Sequence, residues 1–298
     1  MSTSVNNVDQ LIKGAYDLHI HTGPSFFKRS LDDLDMAELA LQAQMKGFLI
    51  KAHEGSTVCR AYLAKKYIND QVNVCGGHVM NIHSGGLNPH VVDAQIKLGA
   101  KIIWFPTMSA DNHIKHFGAM KFGSMKSTKN VMAVEEGLTV IDADGKLLPE
   151  VEKILELIAS ADICLSTGHL GNEEVYILTQ KAFEKGINRV LINHPDFETN
   201  RMPLSKKQAL VKQGAYLEMS FLSLHPNWNP IEPEEMVEGI KQVGYEKCIL
   251  TTDYGSEGYP DPVEGFKSFL KTMLDLGLTK DQITTMIKDN PAYLMNDR

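Results

Sequence analysis

The sequence predicts an α/β fold, a (β/α)8 TIM barrel that occupies residues 1–298 as a single domain. Three observations lead to this prediction. The chain of 298 residues is 43% hydrophobic, which is enough for one large core. Short apolar segments alternate with segments of helical periodicity, and eight such pairs follow one another along the chain. Most of the apolar segments end in His, Glu or Asp.

The first strand is predicted at residues 15–21, where two histidines alternate with two apolar residues. Successive side chains of a strand point to opposite faces and rise about 3.3 Å per residue. His19 and His21 are therefore expected on one face, roughly 7 Å apart. Leu18 and Ile20 are expected on the opposite face, packed under helices.

The other strands are apolar runs, predicted at residues 48–53, 73–82, 101–107, 162–169, 189–194, 215–220 and 247–253. The helices have apolar residues at helical spacing and are predicted at residues 31–46, 57–68, 89–98, 151–160, 173–185, 205–213, 233–243, 263–275 and 280–289. Eight β-α units in about 250 residues are typical of the closed barrel, whose active site lies at the carboxyl ends of the strands.

The regular alternation is interrupted between strand 4 and helix 4, at about residues 108–148. This segment is long for a barrel loop and carries His113 and His116. Two apolar runs around an Asp-Gly turn predict a β-hairpin at residues 137–148. We expect an inserted loop and hairpin over the active site; a surface excursion without chemistry is the alternative.

Composition favours a small soluble substrate over a large charged partner. The net charge is −7, with 30 basic and 37 acidic residues, which argues against nucleic acid or a polybasic membrane contact. No export signal and no run of 18 apolar residues is evident. The four cysteines are widely spaced and read as free thiols of a reducing compartment, so we expect a cytoplasmic protein. The sequence does not exclude a homo-oligomer.

The residues at the strand ends share one chemistry, since most of them can bind a metal ion. If the strands close into a barrel, these side chains meet at one mouth: His19, His21, Lys51, His53, His169, His194, Glu218 and Asp253. Such residues are costly to bury without a partner. Several histidines and one aspartate suit zinc or another first-row divalent ion.

These residues, in this order on the strands, resemble those of the amidohydrolase superfamily of metal-dependent hydrolases. The resemblance rests on the His-x-His of strand 1 and on single residues of strands 5, 6 and 8. It implies that His19, His21 and Asp253 hold one metal and that Asp253 shuttles protons in catalysis. It also implies that His169 and His194 hold a second metal or orient the substrate.

One departure from the superfamily pattern concerns strand 4. Binuclear members carry a bridging carboxylated Lys or a Glu at its end, where this chain reads Trp-Phe-Pro-Thr-Met at residues 104–108. Lys51 on strand 2 is the candidate substitute, as a carbamate bridge with a catalytic role. An ammonium that binds a substrate carboxylate and a structural ion pair are the alternatives. The number of ions is therefore one or two, with zinc expected first and manganese second.

We therefore expect a hydrolase in which water activated by the metal attacks an amide, lactone or cyclic amide bond of a small anionic substrate. Substrate contacts are expected from His53, Arg29, His225 and Tyr254, which lie in or near the loops after strands 1, 2, 7 and 8. Three alternatives stay open. They are a metal-dependent decarboxylase or hydratase, a phosphoesterase, and a metal-storing or scaffold protein.

Overall fold

The computed structural model describes residues 8–118 and 136–297, and the predicted barrel is confirmed there. Eight parallel strands pair in sequence order: β1 (Tyr16–Ile20), β2 (Gly47–Ile50), β3 (Asn73–Val79), β4 (Ile102–Trp104), β5 (Cys164–Ser166), β6 (Val190–Ile192), β7 (Tyr216–Ser220) and β8 (Cys248–Thr251). The barrel closes beside β1 and β8. There the amide of Asp253 donates to the carbonyl oxygen of His19 (2.9 Å), and the amide of His21 donates to that of Tyr254 (2.8 Å).

The strands are shorter than the sequence predicted, and β4, β5 and β6 have three residues each. Several predicted site residues therefore lie in the loops that directly follow strands. Lys51 comes directly after β2, His169 lies three residues after β5, and Asp253 lies two residues after β8. All of them still belong to the carboxyl face of the barrel, where the sequence placed them.

Helices follow the strands and cover the outside of the sheet. They are α1 (Asp33–Gln42), α2 (Val58–Tyr67), α3 (Pro89–Leu98), α4 (Asp111–Phe117), α5 (Pro149–Ala161), α6 (Asn172–Glu184), α7 (Leu204–Gln213), α8 (Pro233–Val243), α9 (Pro262–Asp275), α10 (Lys280–Thr284) and α11 (Asn290–Leu294). A π-helical turn, Thr285–Asp289, joins α10 to α11. Side-chain caps fix several starts; Asp32 at α1 and Asp261 at α9 each accept two backbone amides.

The apolar core has two layers. An inner cluster takes residues from all eight strands and fills the barrel: Tyr16, Leu18, Leu49, Cys75, Val79, Ile102, Trp104, Cys164, Leu191, Tyr216, Ile249, Leu294 and Met295. An outer cluster, which includes Ile20, joins the strands to the helices. The expectation that Leu18 packs under the helices is therefore wrong. A register shift between Asp17 and Ile20 interrupts the strict alternation of β1.

The inserted segment is described only at its two ends. Its first part forms the short helix α4, which the sequence did not predict. The hairpin is present as one antiparallel bridge between Ile141 and Leu147, around a turn in which the amide of Gly145 donates to the carbonyl oxygen of Asp142 (3.0 Å). The part of the predicted insertion at residues 119–135 lies outside the described residues.

Two sequence expectations about the whole chain can be compared with the described residues. None of the helices there combines the length and apolarity needed to cross a bilayer. Cys59 is exposed, whereas Cys75, Cys164 and Cys248 are buried, and all four are free thiols.

Candidate metal centre

The side chains of His19, His21 and Asp253 converge on one point, where the barrel closes beside β1 and β8. The Oδ1 atom of Asp253 lies 2.9 Å from Nε2 of His19 and 3.0 Å from Nε2 of His21. The two Nε2 atoms lie 3.3 Å apart. All three residues are buried, and their ligand atoms lie within 4.8 Å of one another. β1 and β8 thus bring together residues that are more than 230 positions apart in the chain.

The other ring nitrogen of each histidine has its own partner. Nδ1 of His19 donates to the carboxylate of Glu218 on β7. Nδ1 of His21 donates to the backbone carbonyl oxygen of Lys51 (2.9 Å). A histidine that donates through Nδ1 presents the lone pair of Nε2, which is the arrangement found around metal-bound imidazoles.

Burial opposes protonation of His19, but the carboxylates of Asp253 and Glu218 outweigh it and raise the pKa of this imidazole. The three side chains therefore favour a positive charge between them, which a proton or a metal ion supplies. Burial, together with the charge of Arg29, lowers the pKa of His21 to about 3, so this imidazole is neutral at pH 7. Neutral imidazoles and an ionised carboxylate are the forms that bind metal. The donor set of His19, His21 and Asp253 fits a divalent ion such as zinc.

Asp253 has a backbone conformation that is rare outside glycine, with φ of +59°. Hydrogen bonds to β1 help to maintain it. The preceding residue, Thr252, donates its amide to both carboxylate oxygens of Asp17 (3.2 Å each), and its hydroxyl donates to the same carboxylate. Burial raises the pKa of Asp17 to about 7. Strain of this kind is concentrated at functional sites, and here it turns the Asp253 side chain toward the two histidines.

Lys51 lies beside this cluster in an unusual environment for a lysine. Its side chain is fully buried, and Nζ has no hydrogen-bond partner among the described residues. The nearest aromatic face is that of Trp104, with Nζ 5.8 Å from the ring centroid. Burial lowers the pKa of the Lys51 amine. Burying an amine without a hydrogen-bond partner costs free energy. A covalent modification of Lys51 or a bound ligand would remove this cost.

Three further histidines surround the opening above Lys51. The ring centroids of His169 and His194 lie 5.0 Å apart, and those of His53 and His169 lie 5.9 Å apart. Burial lowers the pKa of His194 to about 4 and those of His53 and His169 well below the usual value, so all three rings are neutral at pH 7. Nδ1 of His194 is buried without a hydrogen-bond partner among the described residues.

His113 is a site residue that the sequence placed in the insertion without a role. It is buried on α4, and its Nδ1 lies 2.9 Å from Nδ1 of His169. The neighbouring Asn112 donates to the carbonyl oxygens of His169 (3.1 Å) and Thr199 (2.8 Å), which fixes α4 against the loops after β5 and β6. The insertion thus contributes directly to the orientation of one predicted site histidine.

Eight of the ten predicted site residues line one cavity of about 50 Å³: His19, His21, Arg29, Lys51, His53, His169, His194 and Asp253. Arg29 donates from Nη1 to Ser256 Oγ (2.7 Å), and its guanidinium lies 5.1 Å from the ring centroid of Phe27. Burial lowers the pKa of Arg29 to about 10, so it stays charged at pH 7.

The two other predicted site residues lie farther out. Tyr254 lines a neighbouring cavity, and His225 lies against the ring of Tyr259, with centroids 4.5 Å apart. The first cavity is also lined by Phe197 and Trp228, which the sequence analysis did not identify. Phe197 follows His194 by three residues, and Trp228 is one of only two tryptophans in the chain. Their positions in loops gave no periodic signal.

Comparisons with solved structures show the fold. An amidohydrolase from Pseudomonas aeruginosa is 12% identical, covers 98% of both chains and has a TM-score of 0.62. A probable dipeptidase, PvdM, from the same organism is 9% identical over 99% of both chains, with a TM-score of 0.65. An organophosphorus hydrolase from Deinococcus radiodurans is 12% identical over 97% of this chain and 93% of its own, with a TM-score of 0.61. The resemblance to the amidohydrolase superfamily is thereby confirmed for the fold.

Sequence comparison places the chain more narrowly. No curated protein sequence matches it. A family model described as a family of unknown function, DUF6282, matches residues 14–218, which is more than half of the chain. The matched region includes most of the residues at the barrel mouth, and Asp253 lies beyond it. The chain therefore belongs to the DUF6282 family, with the barrel fold of amidohydrolase-type enzymes.

Proposed function

We propose that this protein is a metal-dependent hydrolase that cleaves an amide, lactone or cyclic amide bond in a small anionic substrate. One observation carries the proposal: the Nε2 atoms of His19 and His21 lie 2.9 and 3.0 Å from Oδ1 of Asp253 and 3.3 Å from each other, at the mouth of the barrel. The fold shared with an amidohydrolase and a probable dipeptidase supports the reaction class. We further propose that the whole chain acts as one domain, because this site joins both ends of the sequence.

A divalent ion held by His19, His21 and Asp253 would polarise the scissile carbonyl and lower the pKa of water from about 15.7 toward 7. The residues of the chain supply the remaining steps. Asp253 accepts the proton of the attacking water and passes it to the leaving group. His194, neutral and within the same cavity, binds the carbonyl or a second ion. Arg29 binds the anionic group of the substrate.

The chemical state of the Lys51 amine determines whether the site binds one or two metal ions. Its lowered pKa favours the neutral amine, which can attack the carbon of carbon dioxide and lose a proton to give a carbamate. A carbamate would offer two oxygen ligands in the cavity that His19, His21, His169 and His194 also line. Two equivalents of metal per chain, zinc first and manganese second, are expected in that case.

A lyase is the second candidate function, as a decarboxylase or hydratase with a single ion. The observation that favours it is the end of β4, where Trp104, Phe105 and Pro106 provide no ligand to a second metal. One equivalent of metal per chain, together with release of carbon dioxide or water from a carboxylated substrate, would support this reading against hydrolysis.

The variant Asp253→Asn tests the hydrolase proposal. The amide keeps a ligand oxygen but cannot take a proton, so kcat should fall by about 10²- to 10⁴-fold while most of the metal stays bound. The assay is a screen of amides, lactones and cyclic amides, with metal measured on the same samples. Asp93→Asn, which changes a partly exposed aspartate of α3 that pairs with Lys97, is the control and should retain full activity. Undiminished turnover in Asp253→Asn would exclude this role.

A further inference from the structure

The barrel mouth contains two adjoining cavities of very different size. The cavity around the candidate metal ligands has about 50 Å³, whereas a second cavity beside it has about 410 Å³. Both are lined by Leu222, Trp228, Asp253 and Ser256, so these four side chains form the boundary between the two. Asp253 thus faces the metal site and the larger cavity together.

The smaller cavity is too small for a complete substrate. A cavity that accepts benzene has about 150 Å³, so about 50 Å³ has room for the small polar groups of a substrate, such as a carbonyl and a carboxylate, and not for a ring. The larger cavity has the size of a small-molecule site. The bulk of any substrate whose scissile bond reaches Asp253 therefore has to lie in the larger cavity.

Aromatic side chains form the walls of this larger cavity. Trp228 donates from Nε1 to the hydroxyl of Tyr259 (3.0 Å), which fixes the plane of the indole. Tyr254 is almost fully buried, and its ring centroid lies 5.3 Å from that of Tyr259 and 5.2 Å from that of Phe221. Rigid aromatic walls of this kind bind planar rings by stacking and by burial of apolar area.

Charge separates the two cavities as well. Among the described residues, the lining of the larger cavity includes the carboxylate of Glu257, which lies 3.6 Å from the exposed Lys28 ammonium, and that of Asp253, which both cavities share. The smaller cavity is lined by Arg29 and Lys51. Ser256 lies at the boundary between the cavities, and its Oγ accepts a hydrogen bond from Nη1 of Arg29 (2.7 Å). An anionic group is therefore favoured beside Arg29, at the boundary of the two cavities.

From these observations we propose that the substrate is an aryl-substituted carboxylate. Its carboxylate binds Arg29, its scissile carbonyl lies at Asp253, and a neutral planar ring lies in the larger cavity against Trp228 and Tyr259. The inference rests on the proposed function for the position of the scissile bond. The two binding contacts follow from the lining of the cavities, so they can be tested without turnover.

The test is titration calorimetry with two carboxylates that differ only in the ring, N-benzoylglycine and N-acetylglycine, on the zinc-loaded and the metal-free protein. N-benzoylglycine should bind at least about tenfold more tightly than N-acetylglycine. Trp228→Leu should remove most of this difference and leave the affinity for N-acetylglycine unchanged. Arg29→Met should weaken both ligands by about tenfold or more. Equal affinity of the two ligands for the unaltered protein would overturn the inference.

Two further variants guard the result against misfolding. Tyr259→Phe removes only the hydroxyl that holds the indole of Trp228 and should reduce the preference for the ring by a few-fold. Tyr176→Leu, an exposed aromatic residue of α6, should leave it unchanged. A loss of the preference in Tyr176→Leu as large as that in Trp228→Leu would contradict a local effect. Hydrolysis is measured separately by product analysis. Tighter binding of the aryl ligand without hydrolysis would refute the proposed function alone. Hydrolysis without tighter binding of the aryl ligand would refute this inference alone.

Discussion

Replacing Glu218 by Gln should weaken metal binding about tenfold without unfolding the barrel. The carboxylate of Glu218 is buried and accepts from Nδ1 of His19 and from the hydroxyl of Thr251 (2.9 Å). Hydrogen bonds to a charged group contribute about 1.5–3 kcal/mol and neutral ones about 0.5–1.5 kcal/mol. The difference between the midpoints of these ranges is about 1.25 kcal/mol, which corresponds to a factor of roughly eight in affinity, of the order of tenfold. Glu218→Ala, which removes the acceptor entirely, should cost up to about 100-fold.

The assay is a zinc titration in competition with a chromophoric chelator, with a thermal melt of each variant as a check on folding. Glu174→Gln is the matched control, because Glu174 is also largely buried and caps α6 at a distance from the site. It should retain the zinc affinity of the unaltered protein. An affinity for Glu218→Gln within twofold of that value would refute the view that Glu218 orients His19 for a metal.

The remaining predictions concern the stability of the barrel. His78 on β3 is buried with both ring nitrogens unpartnered among the described residues, and burial lowers its pKa from 6.5 to about 4. The unfolded chain therefore takes up this proton first, and up to about 3 kcal/mol of stability present above pH 6.5 should be lost as the pH falls toward 4, with a shallower loss in His78→Gln. Arg60 donates to both carboxylate oxygens of Asp33 (2.8 Å each) and to the carbonyl oxygens of Thr22 and Gly23 (3.0 Å each). Because lysine cannot reproduce this planar set of donors, Arg60→Lys should lower the free energy of unfolding by about 1–3 kcal/mol.

Urea unfolding checks both stability predictions. For His78, the curves are measured at several pH values between 7 and 4 for the two proteins, and parallel losses of stability would contradict the argument. For Arg60, the comparison is made at pH 7, with Lys97→Arg on the exposed face of α3 as the control. A change of less than about 0.5 kcal/mol in Arg60→Lys would mean that this network contributes little.

The sequence was sufficient to predict the barrel and most of the residues at its mouth. Parallel strands end at one face, so the positions of His19, His169 and Asp253 after apolar runs were enough to bring them together. Strand length could not be predicted as well, because the apolar runs continue into buried loop residues such as Phe105, which make single backbone hydrogen bonds but lie outside the strands. Leu18 was misplaced for a related reason, since the register shift in β1 leaves no mark in the pattern of apolar residues.

The pattern of apolar residues did not predict contacts between loops. His113 was noted in the insertion, but its contact with His169 depends on how α4 packs against two other loops. Trp228 and Tyr259 contact each other across the loops after β7 and β8, and neither lies in a segment with a regular period. Residues placed by tertiary packing of loops carry no local signal, whereas residues at strand ends do.

The metal content of the protein is the most direct test of whether His19, His21 and Asp253 bind a metal ion. Protein purified without chelator and supplied with zinc is analysed by mass spectrometry for metal equivalents per chain, beside the variant His19→Ala/His21→Ala. We expect at least one equivalent in the unaltered protein and a loss of at least one in the variant. Absence of bound metal in the unaltered protein, or equal metal content in the two folded proteins, would contradict this expectation.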